Sequence, residues 1–305
     1  MELVPLTPIS DFNFVPGVTF VTVQTLGPVA PLYLKSLMEI AGYIASALIG
    51  LSLGLIGGGG SILTVPVMVY LFGVNPLLAT SYSLFIVGTT SFIGAFNNYR
   101  KHLVNLKAAF FFGATSVVTV FITRKFIIPV IPENIITFGG ITITESFLTM
   151  VLFGLLMLVA SVSMIRDRDE PGDAKECSDC IRFFKLFGYG IGIGLVTGFL
   201  GAGGGFLLIP ALVYLIKLPM KKAVGTSLLI IALNSVIGFA GDLGHFLIDW
   251  PFLLTITLIA IAGVLAGGLI SKKIPGNSLK KFFGWFVLLM GIFIIIKEVF
   301  GNPAG

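Results

Sequence analysis

Apolar residues run along the chain in stretches of about twenty, separated by short charged or Pro/Gly-broken stretches. Twenty residues is the length a helix needs to cross a hydrocarbon core about 30 Å thick. Ten such elements are predicted, near 37–56, 61–73, 77–97, 106–128, 145–165, 183–200, 205–217, 222–241, 250–271 and 280–300. The second and seventh hold about thirteen residues each and as plain helices rise only about 20 Å. Pro66 and Pro210 stand at equivalent points in them, and a proline removes a backbone donor and disfavours helix just before it. The pattern therefore predicts broken elements. In the first, residues 61–65 are expected to be extended and followed by a short helix opened by Pro66, together reaching nearly 30 Å. Non-helical backbone at membrane depth must be satisfied by protein or a watery cavity, so both elements are expected at the centre.

The two glycine clusters reveal an internal repeat with an offset of 144 residues. The segment GLIGGGGSILTVPVMVYL (54–71) aligns without a gap on GFLGAGGGFLLIPALVYL (198–215), and 16 of the 41 positions in 54–94 are identical to their partners. Ala79 falls on Ala223, Ser83 on Ser227, Leu84 on Leu228, Ser91 on Ser235 and Gly94 on Gly238. Four segments follow: 1–32, an N-terminal extracytoplasmic stretch; 33–165, the first membrane repeat; 166–182, a cytoplasmic linker; and 183–300, the second membrane repeat.

Composition agrees with this reading. The chain of 305 residues is 56% apolar and 11% charged, with a mean hydropathy of +1.05, whereas soluble domains carry roughly 25% charge. Soluble enzyme, nucleic-acid binder and disulfide scaffold are poor readings. The net charge of +5 carries topological information instead. With ten crossings, fifteen of the nineteen Lys and Arg share one side and only Lys35, Arg124, Lys125 and Lys297 face the other. Were the two short elements re-entrant, the division would fall to about ten against nine and lose its bias. Ten crossings with both termini outside are expected. Five crossings per half then make the halves inverted repeats, an architecture of secondary transporters. The first 32 residues lack positive charge and are interrupted by Pro5, Pro8, Pro16, Pro28 and Pro31, which argues against a signal peptide.

GLIGGGGSILTVP in one half, GFLGAGGGFLLIP in the other and AVGTSL at 223–228 resemble the TauE/SafE-type sulfite exporter family of membrane anion permeases, over about 35–300. The first half departs at one place, reading ATSYSL at 79–84. The resemblance implies an all-α polytopic membrane protein that moves a sulfur-containing anion such as sulfite, thiosulfate or an organosulfonate.

The candidate substrate-binding residues are Gly58, Gly59, Gly60 and Ser61 in the first cluster and Gly203, Gly204 and Gly205 in the second. Ser83 and Thr90 join them from the third element, and Thr226, Ser227 and Asn234 from the eighth. Glycines expose backbone amides, and each cluster precedes a short helix whose N-terminus carries partial positive charge, so an anion can be held without a buried lysine. The competing reading is close helix packing by small residues. Ser83, Thr90 and Asn97, with Ser227 and Asn234, recur at spacing seven and form one face per helix; they read either as substrate donors or as interhelical glue. Tyr70 and Tyr214 read as cavity lining or packing.

Titratable groups lie near segment ends: Glu39, Asp242 and Asp249, with His102 and His245 at boundaries. Proton coupling through Asp242 or Glu39 is one expectation, and interfacial solvated carboxylates are the plainer one. Cys177 and Cys180 supply only two of four zinc ligands. No HExxH signature is present, so the chain is expected not to be an enzyme and to need no cofactor or metal. The sequence reads as a permease of the plasma membrane working by alternating access on a small anionic substrate, with the lipid bilayer and not nucleic acid as its surroundings; a channel-like anion facilitator without ion coupling is the alternative.

Overall fold

A computed structural model of the chain describes residues 30–56, 58–132, 134–138, 141–165, 179–201, 203–270 and 276–301. In chain order these form α1 (Ala30–Ile56), a 3₁₀ helix (Gly58–Leu63), α2 (Thr64–Tyr70), α3 (Pro76–Arg100) and α4 (Leu106–Ile122). A π-helical turn (Thr123–Ile127) and a 3₁₀ turn (Ile128–Val130) prolong α4. A hairpin of β1 (Asn134–Phe138) and β2 (Ile141–Thr144) follows, then α5 (Glu145–Ile165), α6 (Asp179–Leu200), α7 (Gly205–Leu215), α8 (Met220–Asp242), α9 (Trp250–Ile270) and α10 (Gly276–Gly301). The strands are antiparallel, with Thr137 opposite Thr142 and Phe138 opposite Ile141. This hairpin of Ile, Thr and Phe, residues that favour strands, interrupts an otherwise helical fold.

Among the described residues five helices are long and apolar enough to cross a membrane: Pro76–Arg100, Leu106–Val130, Glu145–Val162, Met220–Asp242 and Trp250–Ile270. Three of them begin where the sequence offers caps. Pro76 opens α3 behind Asn75, whose side chain accepts the Leu77 N–H; Asn105 does the same for α4 and Asp249 for α9. Helix α6 begins at Asp179, inside the stretch expected as linker, while residues 1–29 and 166–178, Cys177 among them, lie outside the described residues.

The expected extended run at 61–65 is helical instead. The 3₁₀ helix runs to Leu63 and α2 starts at Thr64. Pro66 is thus the third residue of α2, in the first turn, where backbone N–H groups have no intrahelical acceptor and a missing donor costs little. Six residues at about 2.0 Å and seven at about 1.5 Å rise about 22 Å. Likewise α7 begins five residues before Pro210, which lies inside it.

Helices α3 and α8 form the centre. Their spans are 61% and 67% buried, against 33–39% for α4, α5 and α9. Around this pair, α1 packs on α9, α6 on α4, α4 on α8, α3 on α9 and α5 on α10. Exchanging the two halves maps this set of pairings onto itself. Finer details repeat at the 144-residue offset as well. The Asp249 N–H donates to Tyr82 Oη and the Asn105 N–H to Thr226 Oγ1, both at 2.9 Å. The caps Asn105 to Ala108 and Asp249 to Phe252 are each 3.1 Å long. Such reciprocal contacts, residue to partner and partner's equivalent back again, are those of two like bodies related by an approximate two-fold rotation.

Small residues make the close crossings. A side chain at Gly50 or Gly54 of α1 would run into the Ala260 or Val264 carbonyl of α9, and one at Gly263 or Gly267 into the Ala47 or Leu51 carbonyl. At the equivalent crossing Gly194 of α6 lies on the Ser116 carbonyl of α4. Spacing of four keeps such glycines on one helix face and brings backbones together, which maximises dispersion where lipid offers no hydrophobic drive. Large apolar side chains point outward on the flanking helices, among them Phe110, Val118, Leu258, Leu269, Leu289 and Phe300.

Candidate functional site

The two glycine-led elements meet at the centre of the fold. The 3₁₀ helix carrying Gly58, Gly59, Gly60 and Ser61 packs against α1, α7, α8 and α3. Gly60 lies against Ser52 and Leu53 of α1, and Ser61 is fully buried.

The second cluster is a turn rather than a helix. Gly203 and Gly204 have φ of +65° and +69°, a left-handed conformation that only glycine adopts at little cost, and the turn delivers the chain into α7. Gly204 precedes α7 with no side-chain cap, and its carbonyl accepts the N–H groups of Leu207 and Leu208. Gly205 is the first residue of α7 and is buried. Space is tight: a Cβ on Gly203 would lie 2.8 Å from Val87 Cγ1, 2.9 Å from Ile231 Cγ2 and 3.1 Å from Ser235 Oγ, and one on Gly204 would strike Thr197 Oγ1. The packing role of the glycines is therefore real, and it brings two buried hydroxyls onto the turn.

Those hydroxyls have no partner among the described residues. Ser235 and Thr197 are 0% and 1% exposed, and their oxygens are unpaired, as are Ser83 Oγ and Ser91 Oγ on α3. Buried polar groups almost always find a partner, so Ser235 and Thr197, free to donate beside bare backbone and the N-terminus of α7, form a set of candidate donors. Ser91 and Ser235 are repeat equivalents, the signal in the sequence that points to them; Thr197 had none.

The other predicted donors are engaged. Thr90 Oγ1 donates to the Ile86 carbonyl at 2.6 Å, and Ser227 Oγ to the Val224 carbonyl at 2.9 Å. Thr226 Oγ1 accepts the Asn105 N–H. Asn234 Nδ2 donates to Ser116 Oγ of α4 at 2.6 Å, leaving only its Oδ1 unpaired, an acceptor that repels anions. One residue of helix, about 100°, separates Asn234 facing α4 from Ser235 facing Gly203. Asn97 is exposed. Tyr70 is tied to α10, where its Oη donates to Glu298 Oε1 at 2.9 Å and Lys297 Nζ stands 4.1 Å above its ring. The side chains of Tyr214, Glu39 and Cys180 lie outside the described residues. A groove of about 560 Å³ along α6, lined by Gly188, Tyr189, Gly192, Ile193, Val196 and Leu207, is mostly apolar.

The described residues hold a buried ion pair that the sequence did not disclose. Arg124, counted from sequence as a charge facing the outside, is 0% exposed, and its Nη1 lies 3.0 Å from Asp242 Oδ2. Ser81 Oγ donates to the same oxygen at 2.6 Å.

The sulfite exporter TauE/SafE family profile matches residues 43–294. A probable membrane transporter protein of Xylella fastidiosa (strain 9a5c) is 29% identical over 258 residues, covering 83% of this chain and 94% of the relative. The probable membrane transporter protein YunE of Bacillus subtilis (strain 168) is 27% identical over 274 residues, covering 81% and 93%. No solved structure matches the chain.

Proposed function

The chain belongs to the sulfite exporter TauE/SafE family of membrane transporters, and on that premise we propose that it is a permease moving a small sulfur-containing anion across the plasma membrane by alternating access. The observation that carries the reading is the Gly203–Gly204 turn, where bare backbone, the N-terminus of α7 and the unpaired hydroxyls of Ser235 and Thr197 converge in the buried centre. An oxyanion needs donors in a site that excludes water, and neutral donors preserve the release step that a fixed cation would slow. On this reading Gly58, Gly59, Gly60 and Ser61 supply the counterpart surface from the other half, and Ser83 of α3 adds a donor.

The two-fold recurrence of contacts, the odd number of predicted crossings per half and the charge asymmetry support ten crossings in two inverted repeats with both termini outside. Two like halves meeting at a central site are what a rocking exchange between inward and outward access requires.

The test is flux through purified protein in liposomes, offered sulfite, thiosulfate, an organosulfonate and an acetate control, with and without a pH gradient. Saturable flux of a sulfur anion is expected. Ser235→Ala should weaken its affinity about 5-fold to 150-fold, the loss of one donor to a desolvated anion at about 1–3 kcal/mol, with unliganded stability unchanged. Flux confined to acetate, or a Ser235→Ala protein with parental affinity, refutes the assignment.

A further inference from the structure

The Arg124–Asp242 pair is incompletely satisfied in a particular way. Asp242 Oδ2 takes both Ser81 Oγ and Arg124 Nη1, while Arg124 Nε, Arg124 Nη2 and Asp242 Oδ1 are buried without a partner among the described residues. Nε and Nη2 form one edge of the guanidinium, two parallel N–H donors in the fork that matches a planar pair of oxyanion oxygens. Leaving charged donors unpaired in a buried site is costly. The free edge therefore has the signature of a missing oxyanion.

Its surroundings fit a site more than a scaffold. Arg124 lies on the π-helical turn that prolongs α4, a deviation frequent at functional positions, and its Cβ fits against α8 where Gly241 has no side chain. The chain neighbours of the network touch the glycine-rich segment: Thr123 lies on Gly198 and Thr80 on Gly201. The network is thus beside the turn that leads to Gly203. Above all, the pair is confined to one half. At the 144-residue offset Ser81, Asn98 and Arg124 align with Gly225, Asp242 and Gly268, so the other repeat carries no charge at the positions of Arg124 and Asp242, and nothing lies within 4 Å of a Cβ at Gly268. Among the described residues the equivalent helices α3 and α9 pack together without an ion pair, and a buried pair adds little net stability.

We propose that the Nε and Nη2 edge of Arg124 is a binding site for a singly charged, sulfonate-type oxyanion, with Asp242 and Ser81 as positioning residues that hold the guanidinium. The proposal rests on the reading of the chain as an anion permease. Asp242 already offsets the charge of Arg124, so the edge offers two strong donors with little net charge and favours a monoanion over a dianion. The edge is enclosed in this conformation, so the anion reaches it in a state where α4 and α8 part at this level.

The experiment measures binding of methanesulfonate and sulfate to the purified full-length protein by calorimetry, alongside methanesulfonate flux in liposomes. The parent should bind methanesulfonate at least tenfold more tightly than sulfate. Arg124→Lys keeps the charge but loses the fork, and should weaken methanesulfonate about 10-fold to 100-fold while the unfolding midpoint without anion stays put. The neutral pair R124Q/D242N, which buries no ions and serves if Arg124→Lys does not fold, should weaken methanesulfonate at least as much as Arg124→Lys, to what the Gly203–Gly204 turn alone provides. D242N alone frees the full charge of Arg124 and should turn the preference towards sulfate. Parental methanesulfonate affinity in either folded Arg124 variant, or a parent preferring sulfate, overturns the site. A parent that binds as described but carries no flux leaves the site standing and removes the permease reading; a parent with flux that the folded variants retain in full, at parental affinity, removes only the site; a parent that neither binds nor moves an anion overturns both.

Discussion

Replacing Gly203 by alanine adds one methyl group at the point where α3, α8 and the turn into α7 converge, and its cost can be worked out in two parts. At φ +65° an L side chain carries about 1–2 kcal/mol of backbone strain. The methyl would also stand 2.8 Å from Val87 Cγ1 and 2.9 Å from Ile231 Cγ2, and forcing a carbon into a filled site costs typically 1–3 kcal/mol more. The expected loss is therefore about 2–5 kcal/mol. Gly73 separates the parts: its φ is +67°, yet nothing lies within 4 Å of a Cβ there, so Gly73→Ala should show the strain alone. Its repeat equivalent Lys217 carries a full side chain at φ +57°, which indicates that strain of this size is tolerated at that turn. The assay is reversible unfolding by SDS in mixed micelles, followed by the fluorescence of Trp250 and Trp285. A Gly203→Ala protein no less stable than Gly73→Ala would mean that the turn is not packed between Val87 and Ile231, and the central placement of the site would fall with it.

Three further outcomes are expected. Asn234→Ala removes the bond to Ser116 and should lower stability by about 0.6–1.7 kcal/mol with anion affinity unchanged; loss of affinity at parental stability would return Asn234 to the substrate path. Asn105→Ala and Asp249→Ala remove equivalent caps and should each cost about 1 kcal/mol in the same unfolding assay, whereas a difference above about 2 kcal/mol would deny that the two caps do equal work. Cysteines introduced beside Lys101, Lys221 and Lys273 should react with a membrane-impermeant maleimide only from the cytoplasm and one beside Asn302 only from outside; external labelling at 101 refutes ten crossings.

The helices were legible because membrane length and Pro/Asn/Asp caps are local signals: α5 and α9 start at the residues the apolar pattern indicates, and α4 ends within two residues of it once its π and 3₁₀ turns are included. The repeat was equally legible, since identity at a fixed offset needs no structure. Residues 61–65 were misread because a proline was taken to end the irregular stretch, when in the first turn of a helix it is neutral. The face of a helix was legible only to about one residue: spacing of seven selects Ser227 and Asn234 together, but which one meets the glycine turn depends on helix rotation, and the answer is Ser235. The ion pair was hidden for another reason. Arg124 and Asp242 are 118 residues apart, and each reads alone as an interfacial charge; the clue was the departure ATSYSL, whose Ser81 binds Asp242 where the other half has Gly225.

The crossing of α1 on α9 has a consequence for how the chain is made. Gly50 and Ala260 meet across 210 residues of sequence. At about 5–20 residues per second of synthesis, α1 waits about 10–40 s in the bilayer with its glycine face uncovered before α9 exists. Helix α5 likewise awaits α10, and α3 awaits α8 and α9. The first half thus leaves the ribosome held by its smaller internal contacts, such as those of α2 with α1 and α3, with its main mating surfaces towards lipid, and it is the late arrival of the second half that covers them.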